Sequence, residues 1–550
     1  MITKTDGRPV KLETMDNPKA KNIVIILTEA AAIFLMAFNL LPRKAGLFLT
    51  GILIFYFIFS PLEDSLWVFI ASIPLFVALP ITERFDTMAN WRILLAVLFL
   101  VCLAKAGFFN SFRMKFSGWK LKEKFEHYPV ESLTVVFIFI GALSLLAAED
   151  IWLGTKKLLF LINIFLLYVV IRNLIARNKE IVFKIFSAIK VTIGLTLGIG
   201  FSQLALVFFV NLHQFWHLWD RHIINVFYGQ NLSDLLSYSN TWFSYYSYQL
   251  PTLRMFSVFP DSHSFAFFCV LALPCFLATV FLRPRENREK AVFYYFFLIA
   301  CLLAIIFSGS RGAWVSALIS CLIFLLIILL YWSPTVRAWT NFLKPRYAKK
   351  WSQQIQLILG TLIIFFILFP IASAILFMPQ YIQLGQEAIS DFSLFERARS
   401  IIDLAELSVK SRLEIWRRTI DSIVIRPILG VGLGNYSLVL NEPLSTARKG
   451  ASAHNLYLDV AAEIGVFGLL ILLVIFGYIL KDAWQVFIRQ GKSFFGVWAG
   501  FFLLALIWIF SYSLFDIVLF NDKVFLFFMV NLAVLYGAKS SFGFYKSTHL

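Results

Sequence analysis

Residues 451–470 read ASAHNLYLDVAAEIGVFGLL, and the apolar run that begins at Tyr457 continues to residue 479. A run of this length crosses roughly 30 Å of hydrocarbon as a helix. A helix also satisfies its own backbone hydrogen bonds, which lipid cannot do. The stretch therefore predicts a membrane-spanning helix with a polar triplet, Ala453-His454-Asn455, at its mouth.

The composition of the whole chain indicates that this helix is one of many. Of the 550 residues, 60% are hydrophobic and 15% are charged, and the mean hydropathy is +0.79. Soluble domains are nearer half apolar and about a quarter charged. Window length predicts about fourteen spans, near 22–42, 44–61, 65–82, 91–109, 130–148, 157–175, 186–211, 263–282, 291–307, 313–332, 355–377, 457–479, 496–514 and 523–539. The predicted fold class is all-α: a polytopic helical membrane protein with about 12–14 transmembrane helices.

Basic residues give the predicted orientation, because membrane insertion keeps them on the cytoplasmic side. The segments 110–124, 283–290, 337–350 and 481–492 all fall inside when the N-terminus is inside. Arg43-Lys44 is the exception, since the span count places it outside. The concentration of basic residues in cytoplasmic loops also accounts for the net charge of +17. A nucleic-acid partner is not needed to explain that charge, and the sequence contains no nucleic-acid recognition motif.

These spans divide the chain into seven parts. They are a cytoplasmic N-terminal tail (1–21), an N-terminal bundle (22–211), an aromatic outer loop (212–262), central helices with an SGSRG turn (263–377), a large outer loop with amphipathic helices (378–456), C-terminal helices (457–540) and a cytoplasmic tail (541–550). The five cysteines all lie in apolar segments, so no disulfide framework is predicted. No Asp-x-Asp pair occurs, and we expect no metal or other cofactor.

The outer turn FSGSRGAW, residues 307–314, joins two spans through flexible glycines. An isolated interfacial arginine commonly reaches towards lipid headgroups. Arg311 lies on the outer face, where basic residues are disfavoured. An anionic partner is therefore favoured, and a phosphate suits the planar donors of the guanidinium group. Ser310, in the same turn, is a candidate substrate-binding residue.

The segment SRLEIWRRTIDSIVIRPILGVGLGNY, residues 411–436, predicts an amphipathic helix that Pro427 ends. Arg412, Arg417 and Arg418 cluster at its start. The helix could lie on anionic lipid or bind an anionic substrate. The glycine run after it could cradle a phosphate, but GVGLG lacks the strand and spacing of a dinucleotide fingerprint.

His454 has two possible roles, one structural and one catalytic. It could cap the helix while Asn455 bonds to the backbone, or it could transfer a proton, since an imidazole titrates near neutral pH. Glu463, inside the apolar run, is a functional candidate because a carboxylate there is costly. It could equally be a protonated residue bonded to a neighbouring helix.

The segment LRMFSVFPDSHSFAFF, residues 253–268, places Arg254 and His263 at the outer end of another span. Asp261 or Ser262 can cap that helix. The preceding loop is rich in tryptophan and tyrosine, which is typical of an interfacial belt. A stacking surface for sugar rings is the alternative.

In order, these pieces resemble the O-antigen ligase and polymerase superfamily of bacterial envelope glycosyltransferases. The resemblance rests on SGSRGAW, on RLEIWRR followed by RPILGVGLGNY, and on HNLYLDVAAEIGVFGLL, while PDSHSFAFFCVLALP is similar to a looser upstream motif. It implies an inner-membrane enzyme with its site on the periplasmic face. Its donor would be a glycan on undecaprenyl diphosphate, and its acceptor a hydroxyl, with lipid A-core favoured.

The resemblance also implies roles for individual residues. Arg311 and Arg412 would bind the diphosphate, and His454 would activate the acceptor hydroxyl or assist the diphosphate. The reaction would need no metal and would invert configuration. We add Arg254, Ser310, Arg417, Asn455 and Glu463 as candidate substrate-binding residues.

Several alternatives remain at this level. The predicted spans outnumber those typical of ligases, and polymerases and protein O-oligosaccharyltransferases share the motifs. A transporter of lipid-linked glycans should carry polar residues deep in several spans, whereas here they gather at the outer mouth. A scaffold of an export complex would tolerate alanine at Arg311, Arg412 and His454.

Overall fold

A computed structural model describes residues 19–82, 85–105, 128–237, 242–246, 249–282, 288–332, 407–440, 452–490 and 493–541, with scattered positions between 360 and 382. The predicted basic connections 110–124 and 337–350 lie outside these residues. So do residues 383–406 and 441–451 of the predicted large outer loop.

The described chain is mainly helical. Its α-helices are α1 (Ala20–Ala37), α2 (Ala45–Phe59), α3 (Leu62–Ala71), α4 (Trp91–Lys105), α5 (Pro129–Ser144), α6 (Ile151–Arg177), α7 (Ile181–Leu206), α8 (Leu212–Leu218), α9 (Asn225–Tyr228), α10 (Gln230–Ser237), α11 (Ser262–Leu282), α12 (Arg288–Phe307), α13 (Arg311–Trp332), α14 (Leu407–Ile425), α15 (Leu456–Gln490), α16 (Phe494–Tyr512) and α17 (Asp522–Ser541). The strands form two antiparallel hairpins, β1 (Ala78–Leu79) with β2 (Met88–Ala89) and β3 (Phe243–Tyr246) with β4 (Gln249–Leu253).

The predicted all-α membrane class is confirmed. Among the described residues, 7 helices are long and apolar enough to cross a membrane, and three shorter apolar helices accompany them. Several of the long helices begin with side-chain caps: Asp150, for example, accepts a hydrogen bond from the amide of Leu153, and Ser493 accepts one from that of Gly496. Such caps satisfy backbone donors that the first turn leaves unpaired.

The third predicted span, 65–82, is wrong. Helix α3 ends at Ala71, a 3-10 turn over Ile73–Leu75 follows, and the chain then enters β1. Pro74 lies in that turn, and a proline cannot donate the hydrogen bond that a continuing helix needs. The amide of Val77 instead bonds to Oδ1 of Asn90 at 3.1 Å.

Helix α16 lies at the centre of the C-terminal bundle. Nearly every one of its residues is buried, and it packs against α11, α13 and α15. Helix α17 packs against α6, which joins this bundle to the N-terminal helices. The centre of the molecule is therefore built from segments that are far apart in sequence.

Polar contacts occur near both ends of the helices; the end that carries His454 is called the outer end below, after the predicted orientation, and the opposite end is called the inner end. At the inner end, Arg172 donates to the carbonyl of Tyr536 at 2.7 Å. At the outer end, Nη1 of Arg43 lies 3.0 Å from Oδ2 of Asp86. If this end faces outwards as predicted, the ion pair neutralises an arginine on the face where basic residues are disfavoured.

The aromatic outer loop forms a small core of its own rather than an open surface. The core joins α8, a π-helical turn (Trp219–Ile224) and the β3–β4 hairpin. Trp219, Trp242 and Phe243 are all buried in it. These three rings are therefore occupied by packing and are not available for stacking on a sugar.

Candidate active site

Four chain segments meet at the outer end of the bundle: the first turns of α11, α13 and α15, and the connection that follows α16. Nδ1 of His263, on α11, lies 2.7 Å from Oγ of Ser310, which precedes α13. The amide of Leu456, at the start of α15, donates to the carbonyl of Ser513 at 2.8 Å. These bonds hold the segments in one arrangement.

His263 lies at the centre of a charged cluster. Asp516, Arg254, Arg412 and His454 are all within electrostatic range of its imidazole. These residues come from β4 and its following loop, α14, the mouth of α15 and the connection after α16. The structure thus brings three of the predicted site residues together with two that the prediction omitted.

Arg254 reaches this cluster from the aromatic loop. Its Nε donates to Oγ of Ser244 at 2.9 Å. Gly309 has a φ of +64°, and a Cβ there would lie 3.0 Å from Cγ of Arg254. The SGSRG turn therefore needs a glycine beside Arg254, both for its left-handed backbone and for the room that the arginine stem occupies.

Arg311 and Ser310 occupy the start of α13. Ser310 is fully buried, and its Oγ accepts the amide of Ala313 at 3.3 Å. The carbonyl of Ala313 in turn accepts Nε1 of Trp508 at 2.9 Å, which anchors this turn to α16. Arg311, the first residue of α13, is half-buried.

Arg412 is carried by α14, which packs on α15. Residues four apart share one face of a helix, so Arg412 and Trp416 point the same way. Nε1 of Trp416 donates to the carbonyl of Ala453 at 2.9 Å. This contact brings the arginine face of α14 to the mouth of α15. Arg417 is exposed.

His454 lies at that mouth in a left-handed backbone conformation, with φ of 46°. Its Nδ1 lies 3.7 Å from Oδ1 of Asp516, which is too long for a hydrogen bond and is within ion-pair distance of a protonated imidazole. Asn455 caps α15: its Oδ1 accepts the amides of Tyr457 and Leu458 at 3.0 and 3.1 Å. Asn455, rather than His454, therefore makes the capping bonds.

Two carboxyl groups of the site have shifted acidities. Burial alone would raise the pKa of Asp516, but the neighbouring His454 and the charge of His263 outweigh it and hold that pKa at about 2. Burial raises the pKa of Asp261 to about 6, against the amide of Ser264, which lowers it. Asp516 is therefore a stable anion beside the two imidazoles.

Glu463 lies away from this cluster in a buried ion pair, with Nζ of Lys157 2.6 Å from its Oε2. The glycine run after α14 docks on the same part of α15. The amides of Val431 and Gly432 donate to the carbonyls of Ala462 and Glu463 at 2.8 and 3.0 Å. Those two amides are therefore engaged by the backbone of α15.

The predicted set of site residues omitted His263, Asp516 and Tyr512, although the sequence analysis placed His263 with Arg254 at the end of a span. Tyr512 hydrogen-bonds to Ser310 and lies in range of the charges of Asp516 and Arg412. The signal for Asp516 was present, since it is the lone carboxylate of the short outer connection SLFDIVLF. Tyr512 ends an apolar helix and had no distinguishing pattern.

An apolar groove of about 810 Å³ runs along α15 and α16. Asn455, Ser511 and Leu514 line its outer end, beside the charged cluster. Lys481 and Trp484 line the opposite end. The groove therefore extends from Asn455, next to His454, along α15 as far as Trp484 and along α16 as far as Leu503.

Residues 296–473 match the family model described as O-antigen ligase. The matched segment includes the SGSRG turn, α14 with Arg412, and His454 at the mouth of α15. The match confirms the resemblance to the O-antigen ligase and polymerase superfamily that these motifs predicted. None of the curated proteins compared with the chain matches it.

Proposed function

We propose that this chain, which carries an O-antigen ligase domain over residues 296–473, is a membrane glycosyltransferase. It transfers a glycan from undecaprenyl diphosphate to an acceptor hydroxyl, with lipid A-core as the favoured acceptor. The transfer takes place at the periplasmic face of the bacterial inner membrane, without a metal and with inversion of configuration.

One observation carries this proposal: Arg254, Arg412, His454 and Asp516 all lie within electrostatic range of His263 at the outer end of the bundle. Diphosphate leaves readily only when its developing charge is stabilised. Arginines in a partly buried site supply that stabilisation through charge-assisted hydrogen bonds. An imidazole and a carboxylate beside them supply a route for the acceptor's proton.

In the proposed reaction, the oxygen of the acceptor hydroxyl attacks the anomeric carbon of the glycan. The bond from that carbon to the diphosphate oxygen breaks, and undecaprenyl diphosphate departs with the electron pair. The hydroxyl proton passes to His454, and the negative charge of Asp516 stabilises the imidazolium that results. A single displacement from the opposite face inverts the configuration.

Arg311 and Arg412 would hold the diphosphate, with Arg254 beside them at the SGSRG turn. Ser310 would keep that turn in place through His263. Arg417, exposed on α14, and Asn455, at the end of the groove, remain proposed contacts for the rest of the substrate. Glu463 remains a proposed site residue, and its ion pair with Lys157 favours an indirect contribution.

The groove along α15 and α16 supports a lipid-carried donor. Its walls are almost wholly apolar, and its outer end opens beside the charged cluster. An isoprenoid chain lying there would stay in the hydrocarbon layer of the bilayer, so it would gain packing contacts with the groove rather than removal from water. The diphosphate of the same lipid would then lie among the arginines.

The test is transfer by purified protein in detergent, using a glycan on undecaprenyl diphosphate and three acceptors: lipid A-core, a second donor molecule and a serine-containing protein. We expect a new glycoside with lipid A-core. Product with the second donor molecule would indicate a polymerase, and product with the protein an O-oligosaccharyltransferase.

A transporter is the alternative from another class, and the same preparation tests it. Reconstituted protein that makes no glycoside but moves the lipid-linked glycan across vesicles would overturn the transferase proposal. Transfer without net movement supports it.

A further inference from the structure

The peptide group that joins Ala453 to His454 is held at both of its polar atoms. Its carbonyl accepts Nε1 of Trp416 at 2.9 Å, and its amide donates to Oγ of Ser452 at 3.3 Å. Trp416 belongs to α14, so this bond crosses from one chain segment to another. The preceding amide, of Ala453, donates to Oδ1 of Asp459 at 3.1 Å.

The chain after His454 is held as firmly. Asn455 caps α15, and the amide of Leu456 donates to the carbonyl of Ser513 at 2.8 Å. With both neighbours fixed, the backbone of His454 is forced to a φ of 46°. A residue other than glycine rarely adopts this region, and it does so where surrounding contacts outweigh the strain.

Asp459 is itself held by a distant part of the chain. It is buried, and its Oδ2 lies 3.9 Å from Nζ of Lys157 on α6. Lys157 also pairs with Glu463 at 2.6 Å, one turn further along α15. The cation from α6 thus balances two buried carboxylates, one of which bonds to the amide that precedes His454.

We propose that Trp416 and Asp459 are positioning residues that hold His454 in its left-handed conformation and so aim its imidazole at Asp516. The inference rests on the proposed function, because it gives His454 a catalytic role. It assigns a specific task to α14 beyond carrying Arg412. It also gives α6, which lies outside the matched domain, a part in shaping the site.

The first test is Trp416→Phe, which keeps a ring of similar position and removes the Nε1 donor. We expect about a tenfold loss of kcat, because small displacements of a catalytic group are costly, with little change in KM for the lipid donor. Trp498→Phe is the matched control. Trp498 is fully buried, and no described residue accepts a hydrogen bond from its Nε1.

A double-mutant cycle separates positioning from a general structural effect. If Trp416 acts through His454, the tenfold loss should shrink to less than about twofold when His454→Ala is already present. Arg412→Ala, which acts on the diphosphate instead, should keep most of its cost in that background. An equal cost of Trp416→Phe in both backgrounds would overturn the proposal.

Asp459 offers a rescue test. Asp459→Asn keeps an oxygen that can accept the amide of Ala453, whereas Asp459→Ala removes it. We expect the asparagine variant to retain at least about half of the wild-type kcat, and the alanine variant to lose about tenfold, as for Trp416→Phe. Equal losses in the two variants would argue against the bond and overturn this half of the proposal.

A third measurement does not depend on catalysis. Glycine accepts a positive φ without strain, so His454→Gly should melt higher than His454→Ala by roughly 1–3 °C. The order should reverse if His454 is not held in the left-handed region, because glycine loses more entropy on folding. If the wild type fails to transfer glycan but this melting order is observed, the proposed function is wrong, whereas the left-handed conformation of His454 is still supported.

Discussion

Oδ1 of Asp516 lies 3.7 Å from Nδ1 of His454, although one residue precedes α15 and the other follows α16. The two helices run antiparallel, so the loops at their outer ends face each other. In the proposed reaction, this carboxylate would lie beside the imidazolium that forms when His454 accepts the proton of the acceptor hydroxyl. This relationship links the proposed base to a residue outside the matched domain.

Replacing Asp516 tests that link. Asp516→Asn keeps the size of the side chain and removes its charge, so we expect about a 10- to 100-fold fall in kcat. The donor should still bind, because Arg254, Arg311 and Arg412 are unchanged. Asp234→Asn, on the exposed helix α10, is the control and should transfer at the wild-type rate. Full activity of Asp516→Asn would remove this carboxylate from the mechanism.

The lowered pKa of Asp516 also predicts that the stability of the fold depends on pH. Its folded pKa of about 2 lies below its ordinary value of 3.8, so the unfolded chain binds its proton first as the pH falls. The stabilisation is therefore full above about pH 5 and is lost towards pH 2.

A shift of this size corresponds to roughly 2 kcal/mol. Asp516→Asn should melt below the wild type at pH 5, and the difference should shrink as the pH falls and be largely lost by about pH 2. The negative charge of Asp516 adds to the effect of burial in raising the pKa of Asp261, so Asp516→Asn also relaxes this opposing shift and reduces the difference that is measured. A constant difference across this range would contradict the assigned ionisation.

Arg412 and Arg418 both lie on α14, so substitutions at the two positions can be compared directly. Arg418 makes an exposed ion pair with Glu414 at 2.9 Å, and such pairs contribute little. Arg412→Ala should lower the rate by about 100- to 1000-fold, as expected when one stabilising donor of a leaving group is lost. Arg418→Ala should transfer normally. Similar rates for the two variants would count against Arg412 as a diphosphate ligand.

Gly465 marks the kink of α15, with a φ of 81°. A Cβ there would lie 2.0 Å from the carbonyl oxygen of Ile428. Gly465→Ala should therefore destabilise the fold by about 2 kcal/mol or more, because it combines backbone strain with a clash. Gly477→Ala, on the same helix with nothing within 4 Å, is the control. Size-exclusion profiles and melting curves of the two variants should differ clearly.

Much of the fold could be predicted from the lengths of the apolar segments alone. The spans around α11 and α16 were predicted within a few residues, because a long apolar run has few alternatives in a membrane. The start of α15 was also predicted, but the helix continues to Gln490, past the predicted end at 479. The span at 65–82 failed because apolar length cannot distinguish a crossing helix from a buried turn. Pro74 and the bond from Val77 to Asn90 decide that segment locally.

The site was predictable only in part. Arg311, Arg412 and His454 carry recognisable motifs, and the structure brings Arg412 and His454 near His263. Their partners depend on how α14, α15 and α16 pack, which no local pattern encodes. The ion pair between Lys157 and Glu463 shows the same limit, since its members belong to α6 and α15.

The most direct test of the central claim is the release of undecaprenyl diphosphate from a labelled donor by purified protein, measured together with glycoside formation. We expect wild type and Arg418→Ala to release the two products in equal amounts. We expect His454→Ala and Arg412→Ala, correctly folded, to be at least about a hundredfold slower. Wild-type release rates in both of these variants would contradict the proposed transferase mechanism.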